Sequence, residues 1–233
     1  MEHCRRISAI PFKRQNEIPE ISYLEKNEVE AMLKAADRNT HLGRRDHAIL
    51  LFMYNTGARV QETADARVSW LSLESPPKVT ILGKGRKWRT CPLWESIAEE
   101  LKHLIADQAG PGREDRPLFL NRYGQAMTRF GIWDIVQKYR TRAAENVPTL
   151  KVKRVTPHTL RHTTAMHLLQ SGVEINVIRS WLGHVNLSTT HRYVEIDLAM
   201  KRKALESCEL ITDRGRNSRW QPTSDILSWL ESL

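Results

Sequence analysis

Cysteine, long apolar runs and an apolar leader are what this 233-residue sequence lacks. Its three cysteines, Cys4, Cys91 and Cys208, have neither paired nor metal-type spacing, which argues against a secreted disulfide scaffold and a structural zinc site. The apolar stretch at residues 48–54 is far shorter than the roughly 20 residues that span a bilayer. Residues 1–20 contain no apolar signal-peptide core. We therefore expect a soluble, intracellular chain of one large or two small domains.

Positive charge, in contrast, is abundant and clustered. The 36 lysines and arginines exceed the 27 aspartates and glutamates, so the formal net charge is +9. Residues 83–91 contribute a net +4 and residues 150–203 a net +6, which leaves a net −1 for the rest of the chain. Such clusters suit a polyanion, whose phosphates release counterions on binding, better than a membrane surface, which requires a broad apolar helix face. A merely solvated basic surface is the alternative.

Apolar periodicity predicts an α+β fold that is mainly helical, with one small antiparallel three-stranded sheet. Helices are expected at about residues 27–36, 45–55, 59–66, 95–109, 130–139, 156–172, 175–182 and 188–205, strands at 70–73, 79–82 and 87–93, and a strand or turn at 118–120. Local signals set several of these ends: a capping box of Asn27 with Glu30, Gly57 as a C-cap, and Thr156 followed by Pro157 at a helix start.

A histidine–arginine constellation occupies the helix predicted to begin at Thr156. His158, Arg161 and His162 share one face because they are three and four residues apart. A guanidinium can donate two parallel hydrogen bonds to a phosphodiester, and the first turn of a helix favours anions. The alternatives are His162 or His167 packed in a core, a solvated Arg161, and a zinc site at His158 and His162. The zinc interpretation is weak because a zincin glutamate and a third ligand are missing.

Five short motifs follow one another in a distinctive order. They are TGARVQE at 56–62, GKGRKWR at 83–89, HTLRH at 158–162, LGH at 182–184, and Tyr193 nine residues later. Each motif alone is weak, since a Gly-Lys-Gly is usually a turn and a single tyrosine usually packs. Their order and combination resemble the catalytic domain of the tyrosine site-specific recombinases, the phage-integrase family, over about residues 20–200.

The resemblance implies a set of catalytic positions. They are Arg59, Lys84, His158, Arg161, His184 and Tyr193. By resemblance, the two arginines grip the scissile phosphate, the lysine protonates the leaving 5′ oxygen, His158 is an acid/base, His184 lies near the phosphate, and the tyrosine is the nucleophile. Glu62 is expected to orient its neighbours rather than react. Further DNA contacts are expected from Arg86, Lys87, Arg89, Lys151, Lys153, Arg154 and Arg192.

The implied activity is DNA strand breaking and rejoining through a 3′-phosphotyrosyl intermediate, without metal, ATP or another cofactor. The implied partners are double-stranded DNA and further copies of the chain, from dimer to tetramer, in the cytoplasm at the nucleoid. Two alternatives remain open at this point. One is a type IB topoisomerase-like relaxer, and the other is a non-catalytic DNA-binding remnant that lacks an N-terminal clamp domain.

Domain organisation is expected to follow the same resemblance, with one departure. Family members carry a helical DNA-clamping domain before the catalytic one, whereas only about 20 residues precede it here. We expect a basic arm or linker at residues 1–22, a catalytic domain at 23–207, and a tether with an amphipathic helix at 208–233. The apolar stripe of that last helix either folds back on its own core or docks on a neighbouring protomer.

Overall fold

A computed structural model of the chain describes residues 22–108 and 115–183, all within the first of two units, Met1–Asp197 and Leu198–Leu233. The elements of the described part are α1 (Lys26–Lys34), α2 (His41–Thr56), α3 (Val60–Ala64), β1 (Leu71–Ser72), β2 (Lys78–Leu82), β3 (Trp88–Pro92), α4 (Glu95–Asp107), α5 (Arg129–Ala143), α6 (Thr149–Val152), α7 (Pro157–Gln170) and α8 (Ile175–Leu182). The predicted class is thereby confirmed. None of these helices is long and apolar enough to cross a membrane.

Helix α2 lies at the centre of the core and packs against α4 and α7. It begins about one turn before the predicted start, because the Thr40 hydroxyl accepts a hydrogen bond from the Gly43 amide at 3.0 Å. Phe52 and Met53 on this helix are fully buried. Gly57 ends the helix with a left-handed φ of 60°, which confirms the predicted C-cap.

Helix α1 begins before the predicted residue. The sequence predicts a capping box of Asn27 with Glu30, but the structure forms the box between Glu25 and Glu28. The Glu28 carboxylate accepts a hydrogen bond from the Glu25 amide at 2.7 Å and another from the Thr149 hydroxyl at 2.5 Å. Glu28 is only 1% exposed. Its hydrogen bonds within the folded chain therefore determine where the helix begins, rather than the Asn27 and Glu30 pair.

The three strands form an antiparallel sheet in the order β1–β2–β3, as predicted. Val79 pairs with Cys91, and both side chains are fully buried with that of Ile81, so one face of the sheet covers the core. Strand β1 is shorter than predicted because a 3₁₀ turn, Val68–Trp70, precedes it. Residues 83–87, here called the hairpin tip, join β2 to β3.

Helices α7 and α8 follow their local signals closely. The Thr156 hydroxyl accepts a hydrogen bond from the Thr159 amide at 3.2 Å, and Pro157 takes the first helical position, which confirms the predicted start of α7. Helix α8 has its predicted bounds and ends at Gly183, whose φ is 64°. Two features differ from the predictions: α6 is additional, and residues 118–120 contribute only an isolated bridge.

Three predicted segments lie outside the described residues. They are the basic arm up to residue 21, the helix at residues 188–205, and the C-terminal tether with its amphipathic helix.

Candidate active site

The junction between α2 and α3 fixes the side chain of Arg59. After Gly57 turns the chain, Arg59 becomes the N-cap of α3. One turn later Glu62 accepts two hydrogen bonds from it, one from the backbone amide at 2.9 Å and one from Nη1 at 2.7 Å. The Arg59 side chain remains 27% exposed. One guanidinium nitrogen is therefore held by Glu62 while the side chain remains partly exposed, an arrangement that can bind an anion.

Arg161 connects α7 to this junction. Its Nη1 donates to the Gly57 carbonyl at 2.6 Å, and its Nη2 donates to the Leu182 carbonyl at 2.5 Å. Only 4% of the residue is exposed, so the solvated interpretation of Arg161 is wrong. Because Gly57 and Leu182 end α2 and α8, one guanidinium holds three helices together. A Cβ atom built on Gly57 would lie 2.4 Å from the Leu182 side chain, which shows how closely these helix ends approach.

The histidines of α7 have three different environments. His158, in the first turn, is exposed, whereas His162 is half-buried. His167 is buried, and its Nδ1 lies 2.7 Å from the Tyr54 hydroxyl. Burial lowers the pKa of His167, so the neutral imidazole is favoured there. His167 is thus the packed core histidine, and His158 is the one that can meet a ligand.

The hairpin tip carries exposed positive charge beside a groove. Lys84, Arg86 and Lys87 are all exposed. A groove of about 700 Å³ lies between the tip, β3 and α8, and Lys84 and Lys87 line it together with Arg179 and Ser180 of α8. Neither of these two α8 residues was predicted from the sequence as a site residue. The only available signal was the net charge of residues 150–203, in which Arg179 is counted.

Two residues expected to contact DNA are paired with buried carboxylates of the protein. The Arg89 side chain is 7% exposed, and its Nη2 lies 2.6 Å from Glu62 Oε2. Lys153 is 29% exposed and donates to Glu28 at 2.7 Å and to the Tyr23 carbonyl at 3.2 Å. Each of these side chains neutralises a buried carboxylate. A buried carboxylate without a counter-charge is costly, so the ion pair is favoured over a fully solvated side chain. Lys151 and Arg154, by contrast, are exposed as expected for surface contacts.

The electrostatic state of Glu62 follows from its two arginines. Burial alone would raise the pKa of this carboxyl, but hydrogen bonds and charge from Arg89 and Arg59 outweigh burial and lower the pKa. Glu62 is therefore ionised at neutral pH. It lies between the two guanidinium groups rather than facing the groove, a placement that suits orientation rather than reaction.

Three positions of the expected site lie outside the described residues: His184, Arg192 and Tyr193. Gly183, the last described residue, directly precedes the first of them. Within residues 22–108 and 115–183, no group of three histidine, cysteine or acidic side chains is arranged to bind a metal ion.

The fold and these motif positions are those of one class of catalytic domain. The model of the phage integrase family matches residues 22–200, and the chain belongs to this family, the tyrosine recombinases. It is 39% identical over 230 residues to y4rC of Sinorhizobium fredii, provisionally named an integrase/recombinase, with coverage of 98% of this chain and 68% of that protein. It is also 34% identical over 194 residues to tyrosine recombinase XerD of Staphylococcus epidermidis.

The match to XerD covers 82% of this chain and 63% of that protein. The chain thus spans about two thirds of the length of the curated relatives it matches. Among solved structures, it resembles the site-specific recombinase XerH bound to a palindromic difH substrate in a post-cleavage complex. The TM-score is 0.67 and the identity 26%, with coverage of 82% of this chain and 54% of that one.

Proposed function

We propose that the chain cleaves and rejoins strands of double-stranded DNA through a covalent 3′-phosphotyrosyl intermediate, with Tyr193 as the nucleophile. The observation that carries this proposal is a convergence of side chains from distant segments. Arg161 bonds to the junction that bears Arg59, and Arg89 of the hairpin bonds to Glu62 beside it. Arg89 also lines the groove that Lys84 of the hairpin tip lines.

The proposed chemistry needs charge neutralisation and a proton. The Tyr193 hydroxyl gives its proton to His158 as its oxygen attacks phosphorus, and the new O–P bond forms as the bond from phosphorus to the 5′ oxygen breaks. Arg59 and Arg161 stabilise the charge that develops on the phosphate oxygens. Lys84 gives a proton to the departing 5′ oxygen, a contribution that is typically worth about 10² to 10⁴ in rate. A 5′-hydroxyl from another strand reverses these steps and exchanges partners.

His158 and His184 complete the proposed site. His158, which is exposed at the start of α7, is proposed as the acid/base, and the helix end there favours the phosphate. His184 follows Gly183 at the end of α8 and is proposed as the second histidine near the phosphate.

DNA binding is proposed for exposed basic side chains of the hairpin tip and of the segment that precedes α7. They are Arg86, Lys87, Lys151 and Arg154, with Arg192 added from the sequence. Contacts of this kind hold the phosphate backbone and make affinity depend on salt. The chain is further proposed to assemble on DNA as a homo-oligomer, between dimer and tetramer. Comparing the assembly of the full chain with a variant truncated at Arg214 tests the contribution of the C-terminal segment.

The decisive experiment is a covalent trap. A pool of nicked duplexes with randomised sequence is incubated with the protein. The nick lets the short fragment with the freed 5′-hydroxyl diffuse away, so that the adduct persists. We expect protein linked to DNA 3′ ends, and sequencing of the captured DNA identifies the preferred site. Tyr193→Phe should form no adduct. Tyr123→Phe is the matched control, because Tyr123 is 70% exposed and its hydroxyl contacts only Arg122 in the described part of the chain.

The outcomes separate the proposal from its alternatives. Salt-sensitive DNA binding without any adduct from the unmodified protein would defeat the proposal and leave a DNA-binding remnant. Relaxation of supercoiled plasmids without sequence preference would instead indicate a topoisomerase-like relaxer.

A further inference from the structure

Arg89 of β3 is packed between the two glycines that precede Lys84 and His184 in the chain. A Cβ atom built on Gly83 would lie 3.2 Å from Arg89 Nη1, and one built on Gly183 would lie 3.0 Å from its Cδ. Larger residues at either position would press on this side chain. The guanidinium therefore occupies a narrow slot between the hairpin tip and the end of α8.

Two polar contacts hold Arg89 in this slot. Its Nη2 donates to Glu62 Oε2 at 2.6 Å, and its Nε donates to the Trp181 carbonyl at 3.0 Å. The side chains of Arg89 and Glu62 are 7% and 6% exposed. A charge-assisted pair withdrawn from water is strong and directional. It therefore fixes the position of Glu62 relative to both the hairpin and α8.

Glu62 in turn fixes Arg59. Its Oε2 is shared between Arg89 Nη2 and the Arg59 amide, and its Oε1 accepts the hydrogen bond from Arg59 Nη1. Both carboxylate oxygens are thus used, and a shift of the Arg89 side chain would move or rotate the group that aims Arg59. The path from Arg89 to Arg59 has only one intermediate side chain.

We propose that Arg89 is a positioning residue for strand cleavage. Through Glu62 it directs the Arg59 guanidinium toward the scissile phosphate, and its Nε bond holds the hairpin that carries Lys84 against the end of α8. The inference rests on the proposed function. Because only 7% of the Arg89 side chain is exposed and its guanidinium is bonded to Glu62, its loss should reduce the rate of cleavage much more than the affinity for DNA.

The test compares Arg89→Met, which keeps an unbranched side chain but removes the guanidinium, with Arg89→Lys, which keeps the charge. Single-turnover cleavage is measured on the duplexes captured by the unmodified protein, alongside the Kd for DNA and the unfolding transition. We expect Arg89→Met to slow cleavage by about 10²-fold, a typical cost of misplacing a catalytic group by about 1 Å. Arg89→Lys should recover part of the rate, because one ammonium cannot reproduce a guanidinium fork.

Arg45 provides a matched control. It too is a buried arginine, paired with Asp46 at 2.6 Å and bonded to the Leu120 carbonyl at 3.1 Å. None of these partners belongs to the candidate site. Arg45→Met should destabilise the fold as Arg89→Met does, yet cleave at the unmodified rate at any temperature where it stays folded. Equal slowing by both variants would overturn the proposal, because slowing would then follow from lost stability alone.

A second readout is the coupling with Arg59. If Arg89 acts through Glu62 on Arg59, adding Arg89→Met to an Arg59→Lys background should cost much less than in the unmodified chain. Fully additive losses, or a folded Arg89→Met that cleaves normally, would refute the inference. If Arg89→Met does not fold, Glu62→Gln replaces it in the same comparison. Absence of any adduct from the unmodified chain would count against the proposed function itself, so the two failures are distinguishable.

Discussion

Two buried arginine–carboxylate networks use the same chemistry for different purposes. The core network consists of Arg45, Asp46, Lys138 and Tyr139, and the site network consists of Arg59, Glu62 and Arg89. In each, an arginine shares a carboxylate with a second cation and also donates to a distant carbonyl. Each carboxylate-bearing side chain is nearly inaccessible to water, at 1% in the core network and 6% in the site network.

The networks differ in what they connect. Asp46 ties α2 to α5, and the arginine beside it reaches only the Leu120 carbonyl. Glu62 ties α3 to the hairpin, and through Arg89 to the end of α8, where family motif positions meet. A buried ion pair is therefore not in itself a sign of catalysis. Its meaning depends on the segments that it holds together.

The largest expected effect on cleavage comes from Arg59, the more exposed cation of the site network. Arg59→Ala should reduce the rate of covalent adduct formation by about 10² to 10³-fold, because an electrostatic donor to the transition state is removed. Lys138→Ala removes the corresponding cation of the core network, which is 42% exposed, and should leave that rate unchanged. Single-turnover assays of both variants check this contrast. A normal rate for Arg59→Ala would remove the proposed role of the site network.

The carboxylates separate stability from activity. Glu62→Gln and Asp46→Asn should each lower the free energy of unfolding by about 3 kcal/mol, because a buried guanidinium loses its counter-charge. Only Glu62→Gln should also slow cleavage under conditions where both variants are folded. Denaturant unfolding and adduct assays on the same preparations measure the two effects. If Asp46→Asn slowed cleavage equally, the distinction between the networks would fail.

Acid should weaken the site network in a predictable direction. The folded pKa of Glu62 is lowered, so its stabilisation is fully present above the ordinary glutamate pKa of about 4.3 and is lost as the pH falls through the folded value. On acidification from neutral pH to below the folded pKa of Glu62, the free energy of unfolding should therefore fall more in the unmodified protein than in Glu62→Gln. Glu28, whose pKa is also lowered, contributes acid sensitivity to both proteins. Denaturant unfolding at several pH values gives the difference, and parallel curves would contradict it.

The smallest expected effect concerns the exposed hairpin tip. Replacing Arg86 and Lys87 together by Gln should weaken DNA binding and reduce the slope of log K against log salt by about 0.9 for each phosphate that the variant no longer neutralises. Stability should hardly change, since neither side chain is buried. Lys34→Gln is the control, because Lys34 is 79% exposed in a surface pair with Glu30. An unchanged salt slope in the double variant would place the DNA-binding surface elsewhere.

Local sequence signals determined much of the fold. Thr156 with Pro157 marked the start of α7, Gly57 marked the end of α2, and the two-residue alternation located the small sheet. The order of the motifs was sufficient to identify the family. These features depend on neighbours a few residues apart, so they can be read from the chain directly.

The tertiary structure alone decided which basic residues are buried. The sequence placed Arg89 among four basic residues of the hairpin. Its bonds to Glu62, 27 positions away, and to the Trp181 carbonyl, 92 positions away, set it apart from Lys87. Likewise, Arg161 is buried because it meets the Gly57 carbonyl 104 positions away. These guanidinium groups are withdrawn from solvent because segments distant in sequence supply their hydrogen-bond acceptors. A pattern of neighbouring residues cannot predict which distant segments come together. The sequence thus determined where the positive charge lies along the chain. The packing of the helices and the hairpin determined which of the basic side chains are exposed and which form internal ion pairs.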